Sequence, residues 1–470
     1  MRIQSSQVLV SLLVFAIVPL TSCVDEKVVF EDPDDDPGEV PGAAAGFAGY
    51  LDHDARLTFC GACHVEKQSQ WLKTLHSKSW VNLQEGGHAV ESCEGCHSTN
   101  QLGNAATAAA GYLATKDRRY EDVQCESCHG AGLTHMEAPS NATLPLAPLA
   151  AGTTLTTGCG ECHRSTMTPY LEEWASTRHS RLSVLGATPS CTGCHSGDGA
   201  LRAWGVDTEF AEKQATATGR VAVTCAVCHD PHGGSNAASL RFPVNTASLQ
   251  TNLCMRCHQE RPGFDFAGMP HAGQGPILLG DAGWRPTSLP GKVQATHGIP
   301  QANPDLCTSC HSSPRTENDA AGNLVFRDTG HRFAATPCVN AAGRPTGQTD
   351  CADTQRDYRT CTGSGCHGNQ EIARSARSRA EARTTQLLTE LAALLAKVPA
   401  KEFDANDGRT SAGEGARYNR ELALMEGAAL HNPFLIEKLL IASISELKKV
   451  YGLAQATDVS LEPMLNIAGN

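Results

Sequence analysis

The sequence predicts a chain of short helices and irregular loops folded around bound groups, not around a core of its own side chains. Three observations point there. Aromatic residues make up only 5% of the 470 residues, while Gly (44) and Pro (24) are frequent, a composition that favours turns over a packed interior. Cysteine is abundant at 21 residues. Nearly all of these cysteines fall in one short motif repeated along the chain.

Cys-x-x-Cys-His occurs eight times. The cysteine pairs are Cys60 and Cys63, Cys93 and Cys96, Cys125 and Cys128, Cys159 and Cys162, Cys191 and Cys194, Cys225 and Cys228, Cys254 and Cys257, and Cys307 and Cys310. The histidines that follow them are His64, His97, His129, His163, His195, His229, His258 and His311. Thiols at i and i+3 lie on one face of a helical turn and can form thioethers with the two vinyl groups of a haem. The next residue, His, then falls beneath the iron as proximal ligand. Zinc ribbons use Cys pairs but do not require a His after each second Cys, and a disulfide framework leaves the eight histidines unexplained. The motif therefore predicts haem c at eight sites, numbered 1 to 8 in chain order, and the fold of a multihaem cytochrome c.

Cys361-Thr-Gly-Ser-Gly-Cys366-His367 is similar to the expanded Cys-x4-Cys-His attachment site. Gly363 and Gly365 let a longer loop fold back so that both thiols face one porphyrin, giving a ninth site. The alternative is a Cys361–Cys366 disulfide with an incidental His. Cys338 and Cys351 lack an adjacent His and are expected to form a disulfide in an exported chain.

Export is read from the N-terminus. Residues 1–22 have Arg2 before an apolar stretch, Val8–Leu20, too short to span a bilayer as a mature helix and typical of a signal peptide. Leu20-Thr21-Ser22-Cys23 resembles the lipobox of bacterial lipoproteins, which implies acylation of Cys23 and a membrane anchor. Val24 in place of Asp favours the outer membrane. Residues 24–48, rich in Asp and Glu, are expected to form an acidic disordered tether. A formal net charge of −12 argues against nucleic acid as a partner.

The sites recur with a period. First cysteines 60, 93 and 125 reappear at 159, 191 and 225. Trp71-Leu-Lys-Thr-Leu-His76-Ser matches Trp174-Ala-Ser-Thr-Arg-His179-Ser, and Val123 and Val223 each stand two residues before a site. Two tandem three-haem modules follow, at 49–153 and 154–250, with a looser third unit at 251–369.

Trp-x-x-Thr-x-His, Cys-Glu-Ser-Cys-His-Gly followed by His135, Cys-His-Asp-Pro-His232, Thr296-His297-Gly and Gly330-His331-Arg-Phe resemble the contexts of a broad family of multihaem cytochromes c. The resemblance covers about residues 58–370. It implies that extra histidines are sixth ligands, usually to a haem other than their sequence neighbour. The implied distal set is His76, His135, His179, His232, His271, His297 and His331. His53, His88 and His431 stand outside it. His88 has no counterpart in the second module, and a structural role is expected for His431-Asn432-Pro433.

Residues 370–470 carry no attachment site. Leu387, Leu388, Leu391, Leu394 and Leu395 mark an amphipathic helix over 371–398. A second helical pattern starts near 414, and a last helix runs from Pro433 to Tyr451 with Asn432 as its cap. A C-terminal helical hairpin against the last haems is expected.

The sequence thus implies electron transfer through eight or nine haems at the bacterial cell envelope. Redox proteins or terminal acceptors would be the partners, with assembly with other cytochromes also possible. Two alternatives stay open. One is a reductase of a small nitrogen or sulfur species at a five-coordinate haem. The other is a subunit of a cytochrome filament or larger respiratory complex.

Overall fold

The computed structural model describes residues 46–87, 89–99, 111–140, 143, 145, 158–181, 191–206, 221–260, 268–363, 366–404 and 407–465. The signal peptide, Cys23, the tether up to residue 45 and His88 lie outside the described residues. No helix among the described residues is long and apolar enough to cross a membrane.

Among the described residues up to 369, loops and short helices predominate, as the composition predicts. Most attachment sites are short helical turns: Phe59–Cys63, Glu91–His97, Cys125–His129, Thr192–His195, Cys225–Cys228 and Cys307–His311 are α-helical, and Gly158–Glu161 is a 3-10 turn. The turn closes where the His N–H donates to the carbonyl of the first Cys, at 2.9 Å for His64, His163 and His229 and 3.0 Å for His195 and His258. Among the described residues the strands form only two antiparallel pairs. Tyr50–Asp52 pairs with Leu57–Thr58, and Arg315–Asn318 with Leu324–Asp328. A disulfide joins Cys338 to Cys351.

Gly46–Ala48, read in the sequence as the last residues of a tether, are instead packed into the fold: Phe47 is fully buried against Tyr120. The buried Glu126 carboxylate accepts the backbone N–H groups of Ala48 and Gly49, at 3.0 and 2.8 Å, and of Gly132, at 2.9 Å. An aromatic side chain with a pocket to fill outweighed the acidic composition of the segment before it.

The recurring sequence contexts have recurring geometry. Trp71 Nε1 donates to the Val123 carbonyl and Trp174 Nε1 to the Val223 carbonyl, both at 2.9 Å. In return, Val123 N–H donates to the His76 carbonyl (3.2 Å) and Val223 N–H to the His179 carbonyl (3.1 Å). Thr74 and Thr177 close the same turn by donating to the carbonyls of Trp71 and Trp174, at 2.8 and 2.7 Å. In each repeat the Trp and Thr of Trp-x-x-Thr-x-His therefore fasten the histidine's backbone to the residues just before a Cys-x-x-Cys-His turn.

The C-terminal region is different. Three helices, Gln370–Leu395, Ala412–Leu424 and Pro433–Tyr451, share one apolar core, so the expected hairpin is extended by a third helix. Leu387, Leu391 and Leu394 of the first pack with Tyr418 and Leu422 of the second and with Leu435, Leu439, Leu440 and Ile444 of the third. Ser411 and Glu414 form a capping box at the start of the middle helix. Asn432 caps the last, accepting the Leu435 N–H at 2.9 Å, with Pro433 in its first turn. Gly452, at φ 64°, ends it in a left-handed conformation that glycine adopts at little cost.

Candidate functional site

The histidines of the attachment motifs meet other histidines across the fold. Seven face a second imidazole at nearly one separation. Ring centres lie 6.1 Å apart for His163 and His76, 6.1 Å for His129 and His232, 6.2 Å for His258 and His179, and 5.9 Å for His195 and His271. The remaining three are His229 and His331 at 6.2 Å, His367 and His297 at 6.4 Å, and His311 and His431 at 6.1 Å. Rings in van der Waals contact would sit closer. An iron held between two imidazoles, with metal–nitrogen bonds of about 2.0 Å and about 1.1 Å from each nitrogen to its ring centre, needs roughly 6.2 Å. The pairs fit that gap.

Hydrogen bonding fixes which ring nitrogen faces the gap. Nδ1 of His229 and of His311 donates to the carbonyls of Ala238 and Phe333, both at 2.8 Å. His297 Nδ1 donates to Leu430 O at 2.9 Å, and His129 Nδ1 to Pro145 O at 3.1 Å. His97 Nδ1 donates likewise to Ser79 O at 3.1 Å. A carbonyl can only accept, so the proton sits on Nδ1 and the Nε2 lone pair is left for a metal. Burial also favours the neutral ring that ligation requires. It pushes His163, His179 and His431 down to about 4, and it lowers His76, His258, His331 and His367 as well.

The cysteines of all nine motifs carry no disulfide, including Cys361 and Cys366, so the alternative pairing of those two is absent. His367 N–H donates to Cys361 O at 3.2 Å, which brings the histidine back to the first cysteine of the longer motif; Gly365 lies outside the described residues. These residues suit covalent haem: two thiols and one imidazole at each motif, with a second imidazole opposite seven of the nine. The haem supplies a one-electron iron couple, and the chain supplies its position, axial ligands and surroundings.

Six members of the expected distal set stand in these pairs: His76, His179, His232, His271, His297 and His331. His135 does not. Among the described residues its ring stacks on no attachment-site histidine, and its Nδ1 bonds Thr143 Oγ1 at 3.3 Å. His431 replaces it in the count. Leu430 O holds His297 while the next residue, His431, faces His311, so the short helix Ala428–His431 serves sites 8 and 9 together. His53 is engaged by carboxylates, its Nε2 lying 2.8 Å from Glu121 Oε2. His64 and His97 face no second imidazole among the described residues.

Other positioning residues carry no sequence signal of their own. Glu173, fully buried beside Trp174, accepts from Thr329 N–H at 2.9 Å, Thr329 Oγ1 at 2.6 Å and His331 N–H at 2.9 Å, and so fixes the loop that presents His331. Tyr170 stands edge-on to His163 (5.6 Å) and His331 (4.9 Å). Phe333 touches His179 (5.2 Å) and His331 (5.7 Å).

Comparison with known proteins agrees with this chemistry. Residues 59–130 match the family described as cytochrome c554 and c-prime, and residues 219–263 match the doubled CXXCH motif. No curated protein and no solved structure matches the chain. Recurring Cys-x-x-Cys-His turns, imidazoles paired at the iron-ligation distance and these two family matches make the chain a multihaem c-type cytochrome, a carrier of electrons on haem.

Proposed function

We propose that the chain is a nine-haem electron conduit of the bacterial cell envelope, anchored by lipid on Cys23 to the outer membrane and passing electrons between redox proteins or to a terminal acceptor. The observation that carries this reading is the set of seven imidazole pairs separated by 5.9–6.4 Å. Iron with a strong ligand on both faces stays low-spin and reorganises little on changing oxidation state, which suits transfer and leaves no position for substrate. Three-haem modules at 49–153 and 154–250 and a third unit at 251–369 account for the recurrence of the Trp–Val–His geometry. Assembly with other cytochromes is compatible with this role.

A second reading has its own observation. His64 and His97 are without a facing imidazole among the described residues, so a reductase acting at an open iron there is the alternative. Paramagnetic resonance of the oxidised holoprotein, with a pyridine-haemochrome count, separates them. The conduit reading expects nine haems and low-spin signals throughout. A stoichiometric high-spin haem that binds nitrite or carbon monoxide overturns it. Cys23→Ala should release the protein from membranes, and a wild type washed off by salt would remove the anchor from the proposal.

A further inference from the structure

Cysteines of different attachment sites touch one another, and the contacts have a pattern. The thiols of Cys60 and Cys125 lie beside each other, joining sites 1 and 3. Cys96 and Cys162 join sites 2 and 4 in the same way, and Cys128, close to Cys159, joins 3 and 4. Shifted by three sites, the arrangement repeats. Cys159 meets Cys225 (sites 4 and 6), Cys194 meets Cys257 (5 and 7), and Cys228 lies near Cys254 (6 and 7). Cys254 then meets Cys307 (7 and 8), and Cys310 lies near Cys361 and Cys366 (8 and 9).

Independent contacts follow the same order. Thr58, which caps the site 1 turn, reaches Cys125 Sγ at 3.7 Å, and Cys194 Sγ lies 4.0 Å from the Arg256 carbonyl inside site 7. Tyr170 stands between the histidines of sites 4 and 6, and Phe333 between those of sites 6 and 7. A thioether sits at a haem's vinyl edge. Where the cysteines of two sites meet, two haem edges are therefore brought together.

We infer that the attachment sites form a branched relay whose trunk runs 1–3–4–6–7–8–9, with site 2 a side branch on site 4 and site 5 a side branch on site 7. This deepens the conduit reading, on whose nine sites it rests, by giving the order of steps, which is not the order in the chain. Three of the sites have an exposed cysteine: Cys63 at one trunk end, Cys366 at the other, and Cys194 at the tip of a branch. Electrons would exchange with partners at those three places, and the interior trunk sites would only relay.

Iron positions in the mature holoprotein, located by anomalous scattering at the iron edge, test the order directly. The expected map places iron 3 next to irons 1 and 4, iron 6 next to 4 and 7, and irons 2 and 5 each beside a single neighbour. An iron 2 lying between irons 1 and 3, or an iron 5 lying between 4 and 6, overturns the inference. The map is independent of spin state, so failure of the order and failure of the two-imidazole reading are distinguishable. Magnetic coupling supplies a second readout that needs no crystal. Losing haem 5 through the double change Cys191→Ser and Cys194→Ser should alter the resonance of one neighbour, site 7. The double change Cys225→Ser and Cys228→Ser should alter two, sites 4 and 7. Equal disturbance by both would contradict the branch.

Discussion

Residues 46–369 and residues 370–465 are built on different physics. The C-terminal helices close over one continuous apolar core, with Leu387, Leu391, Leu394, Leu422, Leu435, Leu440, Ile444 and Leu447 fully buried. Among the described residues, the longer attachment region has only small apolar clusters of its own, such as Phe47 with Tyr120, Leu171 with Trp174, and Met255 with Leu278, Leu279 and Leu306. Its order comes from buried polar anchors, notably Glu126 and Glu173, and from histidines meeting in pairs. A chain can dispense with a protein core when a large apolar prosthetic group takes its place.

The largest expected effect follows from that contrast. Chain made without haem attachment should leave the first region largely unfolded while the C-terminal helices keep their structure. Hydrogen exchange or limited proteolysis of the apoprotein reads the difference directly, and equal protection of both regions would break the comparison. Next in size is the buried ion pair that ties the last helix to the first. Arg383 Nε lies 2.7 Å from Glu437 Oε1 with both side chains almost wholly buried, and Glu437 also accepts the backbone N–H groups of Met464 and Leu465, at 2.9 and 3.0 Å. Glu437→Ala should cost about 3–5 kcal/mol, because it leaves a buried guanidinium uncompensated. Denaturant melts should show that loss in the C-terminal helices, with the haem absorbance of sites 1 to 6 unchanged.

His431→Ala probes the point where the two regions meet. Site 8 should turn from low-spin to high-spin with its haem retained, since Cys307 and Cys310 remain. His53→Ala should leave every haem low-spin. If the His431 variant keeps a full low-spin count, the His311–His431 pair is not a ligand pair. The smallest effect is expected from Trp174→Phe, which removes the 2.9 Å bond to Val223 O but keeps an aromatic ring: about 1 kcal/mol, read as a small fall in the melting midpoint. Ring orientation sharpens the same comparison. His129–His232, His229–His331 and His311–His431 are within 22–24° of parallel, whereas His179–His258 cross at 77°. Parallel imidazoles split the iron dπ orbitals and crossed ones leave them nearly degenerate. Three rhombic low-spin signals and at least one strongly axial signal are therefore expected.

How much was legible in the sequence varies residue by residue. Cys-x-x-Cys-His states its own chemistry, and the last helix was readable from Asn432, Pro433 and its leucines because capping and amphipathicity act within a few residues. His76 and His179 were visible because their Trp-x-x-Thr-x-His context repeats. His431 was not. It lies 120 positions from His311 with no repeat to mark it, and only the packing of Ala428–His431 between the long helices brings the two rings together. His135 also stands in a familiar context, but among the described residues no attachment-site imidazole faces it, and its Nδ1 bonds Thr143 Oγ1.

What the sequence by itself determined is the covalent chemistry, since two thiols and an imidazole must be neighbours on one turn to serve one haem, and that requirement is written in spacings of three and one. It determined also that loops would dominate the first region, because glycine, proline and few aromatics cannot build an extended core. Only the tertiary structure decided which imidazole faces which, and in what order the sites touch. Those pairings close loops of tens to more than a hundred residues, and no local preference encodes the partner. They follow from anchors such as Glu173 on the His331 loop and from the helices that carry His431, whose positions depend on the whole chain having folded.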